Sequence, residues 1–385
     1  MNKILIIQTA FIGDVILTLP LIELLTEKYS KPVIDFLTIP SSKNLLDNHP
    51  DINRLIIFDK KMKDKGFRGL IRVGNLLEKN RYDICLTPHR SLRSAYLSYK
   101  SKAKIRTGFS NAAYKNAFTH IIEYQKNIHE IARNLSMLGA LGFTHTEIRY
   151  PKIYPDNNDI GVVERYINHP VTSPVHESTF RCDPSIQNRE LKETSVFSVN
   201  NNKEKDNSNN LFKKKTRKNP LTVNLFAIAP GSIWPTKRWP LDYYEEVCYY
   251  LVKKGLTVIL IGGTGDVVLC DQIKNDTGNI ISLAGKLTLR QTYYLLTRCK
   301  GLLTNDSAPL HLGMAASIPV YAIFGPTVPE FGFAPYGDNG FVIQNQYLNC
   351  RPCGIHGGNE CPTKTFDCME KIIPKIVIGQ ITIDN

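Results

Sequence analysis

Three short clusters combine residue types that can move a proton and hold a phosphate. Phe11-Ile12-Gly13-Asp14 directly follows an apolar run at 3–9. A carboxylate at the carboxyl edge of a sheet and the start of a helix either caps that helix or serves as a general base for a hydroxyl within hydrogen-bond reach. Gly13 lets the backbone turn or approach a ligand closely. The segment GSIWPTKRWP at 231–240 follows a second apolar run, and Ser232, Thr236 and Lys237 offer it two hydroxyls and an ammonium for a pyrophosphate. The chain's two tryptophans, Trp234 and Trp239, flank the Lys237-Arg238 pair. The third cluster, at 301–327, reads as strand, polar cluster, helix and strand: Asn305, Asp306 and Ser307 suit a helix cap, Pro309 suits its first turn, and His311 lies about one turn inside. Free N–H groups and the positive dipole end at such a place favour a phosphate. A lone helical histidine is more often structural, so His311 draws its interest from these neighbours.

To position these clusters the chain must supply strands ending where they begin. Runs at 3–9, 33–39, 54–59 and 82–88 read as strands, separated by helical patterns at 15–29, 42–48 and 67–79. Strands at 221–229, 257–262 and 319–324 and helices at 241–254 and 289–297 continue the alternation. Parallel strands with crossover helices follow, and 385 residues exceed the usual size of one core. We expect an α/β chain with an N-terminal Rossmann-like domain at 1–150, a linker at 151–220 and a second such domain at 221–385, facing each other across a cleft. From about 171 to 220 the sequence is rich in Ser, Asn, Lys and Glu and offers no core, so a disordered insert is expected there, removable without loss of folding.

Net charge is +13, which calls for an acidic partner. No nucleic-acid motif accompanies it, and no apolar run reaches the length of a membrane span. The N-terminus lacks a signal-peptide pattern, because Gly13 and Asp14 interrupt its apolar run. A phosphorylated glycolipid at an anionic membrane face accounts for the charge, while the KKKTRK run at 213–218 reads either as a membrane contact or as a solvated tract.

The start KILIIQTAFIGDVILTLPLIELL, the middle FAIAPGSIWPTKRWPLDYYEEV and the later TNDSAPLHLGMAA resemble, in that order, the ADP-heptose:lipopolysaccharide heptosyltransferases of glycosyltransferase family 9. The resemblance implies the GT-B fold and a metal-independent, inverting transfer with no cofactor. It implies Asp14 as general base, and Lys237 as the cation meeting the leaving diphosphate. Ser232, Thr236, Lys237, Asp306, Ser307, Ala308 and His311 would hold ADP-heptose, with Asp266 of IGGTGD near the nucleoside. Gly13, Arg90, Arg93, Arg106 and Arg133 would serve a lipid A-Kdo or heptosylated core acceptor, because arginine grips phosphate and carboxylate bidentately. A cytoplasmic enzyme, peripheral on the inner membrane and without nucleic acid, is the expectation. Transfer to a protein or another glycan, or non-catalytic glycolipid binding, are the alternatives. A nicotinamide dehydrogenase is disfavoured by the lack of a complete G-x-G-x-x-G after any strand. Cys350, Cys353, Cys361 and Cys368 cluster near the end with a spacing unlike paired zinc knuckles; they read as a family loop, and no metal is assigned.

Overall fold

The computed structural model describes residues 2–144, 147–168, 224–273 and 279–383. The insert expected at 171–220, with its basic run, lies outside the described residues.

Strands β1 (Lys3–Ile7), β2 (Val33–Thr38), β3 (Ile52–Ile57), β4 (Ile84–Thr87), β5 (Ile105–Phe109) and β6 (His120–Ile122) form one sheet. Strands β7 (Leu225–Ala229), β8 (Thr257–Leu260), β9 (Ile280–Ser282), β10 (Cys299–Asn305), β11 (Val320–Phe324) and β12 (Gly340–Gln344) form another. All pairings are parallel. Parallel strands covered on both faces must be apolar throughout, and the central runs Ile4 to Ile7 and Leu225 to Ala229 are buried end to end. The first sheet runs β3-β2-β1-β4-β5-β6 and the second β12-β11-β10-β7-β8-β9, which is the same order repeated. Each therefore reverses direction once, between β1 and β4 and between β7 and β10, and ligands of open α/β sheets bind at the carboxyl ends of the strands beside such a reversal. The first cluster of the sequence follows β1; the second and third follow β7 and β10.

Contacts divide the chain into one unit of residues 1–160, 288–294 and 329–334, and a second of 161–287, 295–328 and 335–385. The expected boundaries were contiguous, whereas two short later segments group with the first unit. Arg290 explains one of them. Its guanidinium bonds Asp159 at 2.6 Å, Asp156 at 3.4 Å and Asp47, three carboxylates of the first unit. The other carries Gly332, whose carbonyl accepts from Glu130 N–H at 2.8 Å.

One helix expected at 15–29 is two, Ile12–Ile16 and Pro20–Lys28. Pro20 has no N–H to continue the first and fits the opening position of the second. The break leaves Asp14 in the first turn of a five-residue helix. A helix at Asn157–Asn168, in the stretch expected as linker, was not read from the sequence.

Candidate active site

In the first unit Asp14 stands just past β1, beside the reversal. Its carboxylate accepts backbone hydrogen bonds from Phe11 and from its own N–H. The bond to Phe11 N–H is one half of a capping box. Burial pushes its pKa up to about 6, against those bonds and the Arg90 charge, which pull it down. A carboxylate so tuned is ionised near neutral pH yet basic enough to take a proton. The loop is held from below: Gln8 Nε2 donates to Thr18 Oγ1 at 3.1 Å, Thr18 Oγ1 donates to the Asp14 carbonyl at 2.7 Å, and Asn134 Nδ2 donates to the Leu17 carbonyl at 3.1 Å.

Arg90 follows β4, on the other side of the reversal. Its guanidinium lies 4.5 Å from the Tyr124 ring centroid, and Arg133 lies at the same distance from that ring. The ring thus fixes Arg90 near Asp14 through cation–π attraction. Beside it Thr9 Oγ1 and His89 Nδ1 are 2.8 Å apart and His89 Nδ1 and Ser94 Oγ 2.9 Å, tying the ends of β1 and β4. Burial, with Lys60 and Arg90 nearby, lowers His89 to about 4, so it is neutral at pH 7 and no rival base in charge.

Two of the expected acceptor arginines are otherwise employed. Arg133 is wholly buried, bonds Glu130, and donates to the Gln125, Lys126 and Ile128 carbonyls at 2.8, 3.0 and 2.9 Å. Arg106, near the start of β5, donates to the Ala117 and Ala103 carbonyls at 2.8 and 2.6 Å. Each supplies donors to carbonyls of its own unit, which would be costly to leave unpaired in a buried place. Arg90 and the exposed Arg93 remain at the carboxyl edge with Gly13. Burial raises Glu130 to about 7, opposed by Arg133 and reinforced by the Asp14 charge. Replacing Arg133 by Met should destabilise the protein by about 3 kcal/mol in urea unfolding at pH 8, the lower end for a broken buried pair because Glu130 can take up a proton. A loss below about 1 kcal/mol would remove the anchor role.

In the second unit the loops after β7 and β10 meet. Lys237 Nζ lies 2.6 Å from Asp306 Oδ2, both residues buried, and Thr327 Oγ1 donates to the same oxygen at 2.6 Å. Lys237 also donates to the Asp306 carbonyl at 3.2 Å. Asn305, expected as a cap, is instead a tie: its Oδ1 accepts from Trp239 N–H and Tyr244 O–H at 3.2 and 3.0 Å, and its Nδ2 donates to the Pro230 carbonyl at 2.8 Å. Ser307 is the N-cap residue of the Ala308–Ala315 helix but makes no side-chain cap; its hydroxyl points to the Asn305 carbonyl at 3.4 Å. In the first turn Pro309 has no N–H and Leu310 N–H donates to the Ser307 carbonyl at 3.1 Å, so the Ala308 N–H and the positive end of the helix dipole are what this terminus can offer a ligand. His311 lies buried on the same helix.

Asp266 accepts from Gly263 N–H at 2.8 Å, and a Cβ at Gly231 or Gly262 would collide with its side chain. Those two glycines are needed for this close approach, and they bring the loops after β7 and β8 together. Ser232 is buried, with Oγ accepting from Trp234 N–H at 3.2 Å. Thr236 is committed to the cysteine-bearing loop: its Oγ1 donates to the Gly358 carbonyl and accepts from Gly358 N–H, each at 2.8 Å. In the same place His356 stacks on Trp234 with centroids 6.4 Å apart. Sequence reasoning missed this lid over Thr236 and Lys237, as it missed Thr327, Tyr124 and Glu130. The two tryptophans also part company, since Trp239 is core and Trp234 packs with the loop. Among the described residues no group of three or more His, Cys, Asp or Glu side chains is arranged to hold a metal ion.

Comparison with known proteins joins the two halves. The family model for glycosyltransferase family 9 (heptosyltransferase) matches residues 182–361. The chain is similar to the family 9 heptosyltransferases. Lipooligosaccharide heptosyltransferase 2 of Haemophilus ducreyi is 24% identical over 341 residues, covering 86% of this chain and 85% of that protein. Lipopolysaccharide heptosyltransferase 2 of Escherichia coli is 23% identical, covering 86% and 84%. Among solved structures, a family 9 glycosyl transferase from Veillonella parvula superposes with a TM-score of 0.67 at 23% identity, over 89% of this chain and 85% of that one. Escherichia coli ADP-heptose lipopolysaccharide heptosyltransferase II gives 0.65 at 20% identity, over 97% and 99%. The fold is GT-B, with its two α/β domains, and the similarity to heptosyltransferases extends to the Asp14 half that the family model leaves unmatched.

Proposed function

We propose that this chain transfers heptose from ADP-L-glycero-D-manno-heptose to a hydroxyl of the lipopolysaccharide inner core, with inversion at the anomeric carbon. The observation that carries the reading is the equivalent placement of two chemistries. A tuned carboxylate stands at one sheet reversal, and a buried cation beside an uncapped helix N-terminus stands at the other. Asp14 takes the acceptor hydroxyl proton as that oxygen bonds to the anomeric carbon. The bond from that carbon to the diphosphate breaks, and ADP leaves with the electron pair. Inversion in one displacement needs one base and no enzyme nucleophile. Lys237 and the positive end of the Ala308–Ala315 helix meet the charge growing on the diphosphate, while Asp306, itself held by Thr327, keeps the ammonium in place. Arg90 and Arg93 attract acceptor phosphates. The acceptor's lipid puts the enzyme at the inner face of the cytoplasmic membrane.

The direct test is ADP release from purified protein with ADP-heptose, against acceptors truncated at successive core sugars. A requirement for one inner-core acceptor supports the reading, and release with a protein acceptor alone points to the other kind of transfer. Transfer is also expected to persist in excess chelator, since fixed protein groups meet the leaving charge. Loss of activity that magnesium restores would count against that part.

A further inference from the structure

The loop between β3 and the helix Gly66–Lys79 has no task in the chemistry above, yet it is firmly built. Asp59 and Asp64 staple it: Asp64 N–H donates to the Asp59 carbonyl at 2.7 Å, and Asp59 N–H donates to Asp64 Oδ2 at 3.0 Å. Asp59 Oδ1 accepts from Lys61 and Met62 N–H at 3.3 and 3.1 Å. Asp64 is buried and takes Arg72 Nε at 3.0 Å, and a Cβ at Gly69 would strike the Asp64 backbone. This rigid frame holds two large apolar side chains outward, Met62 at 78% and Phe67 at 70% exposure. Lys61, Lys63, Lys65 and Arg68, all exposed, surround them. Of the segment's two carboxylates Asp64 is buried and Asp59 is half-buried and bonded back to the loop, so the segment's fully exposed charged side chains are all cationic.

Its position in the fold is informative as well. The loop stands at the carboxyl edge of the first sheet, and Lys60 Nζ donates to the Thr9 carbonyl at 3.0 Å, at the end of β1 and close to Asp14. A stapled loop gives up little entropy when its tip is immobilised, and exposed apolar side chains ringed by Lys and Arg match the boundary between headgroups and acyl chains of an anionic bilayer. An acidic protein surface would satisfy the cations but leave Met62 and Phe67 in water.

We propose that residues 59–68 dock this chain on an anionic lipid bilayer, with Met62 and Phe67 entering the headgroup boundary and the surrounding cations binding lipid phosphates. The proposal rests on the reading above only in that a lipid-borne acceptor would then be presented beside Asp14. Sedimentation of the full chain with phosphatidylcholine vesicles, with and without phosphatidylglycerol, tests it. Binding should require phosphatidylglycerol and fade as salt rises. The triple variant Lys61→Gln, Lys63→Gln, Lys65→Gln should partition about 100-fold less, at about fivefold per cation near the surface. Met62→Ser with Phe67→Ser should lose about tenfold or more, through buried apolar area. Both variants should keep the parent's thermal unfolding, since only exposed side chains change, and should keep any transfer to a water-soluble acceptor fragment. Equal partitioning of parent and both variants, or no binding to anionic vesicles at all, overturns the proposal. Partitioning that follows the variants in a protein that transfers no heptose supports the docking surface and defeats the heptosyl reading instead.

Discussion

Asp14→Asn lowers turnover by about 100 to 10,000-fold while leaving ADP-heptose affinity close to that of the parent; this is the expected result if the carboxylate is the base. The amide keeps the side chain's shape and can still face the acceptor, but it cannot accept the proton. The same carboxylate sets a pH limit. With its pKa raised to about 6, kcat/KM should fall as pH drops through 6, and the Asn variant's residual activity should lack that limb. Stability responds with the opposite sign. A carboxylic acid raised from 3.8 to about 6 binds more protons folded than unfolded, so between those values stability declines as pH rises. At pH 7 Asp14 therefore destabilises the fold, and Asp14→Asn should be more stable than the parent by up to roughly 3 kcal/mol. Near-normal turnover would take Asp14 out of this role, and an Asn variant less stable than the parent would overturn the pH-linked stability effect.

Lys237→Ala should damage binding, turnover and stability together. It removes the cation aimed at the leaving diphosphate, a kind of loss typically worth about 100 to 1,000-fold in rate. It also leaves the Asp306 carboxylate buried without its cation, though still hydrogen-bonded to Thr327, at a cost of about 3 kcal/mol in unfolding experiments. The double variant Lys237→Ala, Asp306→Asn separates the two consequences. Neutralising the orphaned carboxylate should restore most of the stability and none of the activity. If the double variant regains turnover, the ion pair is only a structural clasp and another group meets the diphosphate charge.

Much of the arrangement is decided locally and so can be read in the chain. Short apolar runs such as Lys3–Ile7 and Leu225–Ala229 read as strands covered on both faces, and the Gly, Asp, Ser and Lys that follow them then fall near strand ends. Asp14, Lys237 and Asp306 were legible for that reason. The break at Pro20 is equally local in cause, but the apolar periodicity continues across it and hides it.

What the chain does not display is which neighbours a long side chain chooses. Arg90, Arg106 and Arg133 look alike in sequence. Only folding puts Arg90 against Tyr124 at the carboxyl edge and turns the other two onto backbone carbonyls. Desolvation of Asp14 and Glu130 depends on atoms brought from distant segments, so their raised pKa values have no sequence signal. The Gly358 loop reaches Thr236 across 122 positions, and Thr327 reaches Asp306 across 21. Sequence alone fixed the strand ends and the residues mounted on them, because backbone hydrogen bonding and burial act over a few positions. Tertiary structure decided which of those residues face a ligand and with what charge, because partners and solvent exclusion come from wherever the packed chain returns.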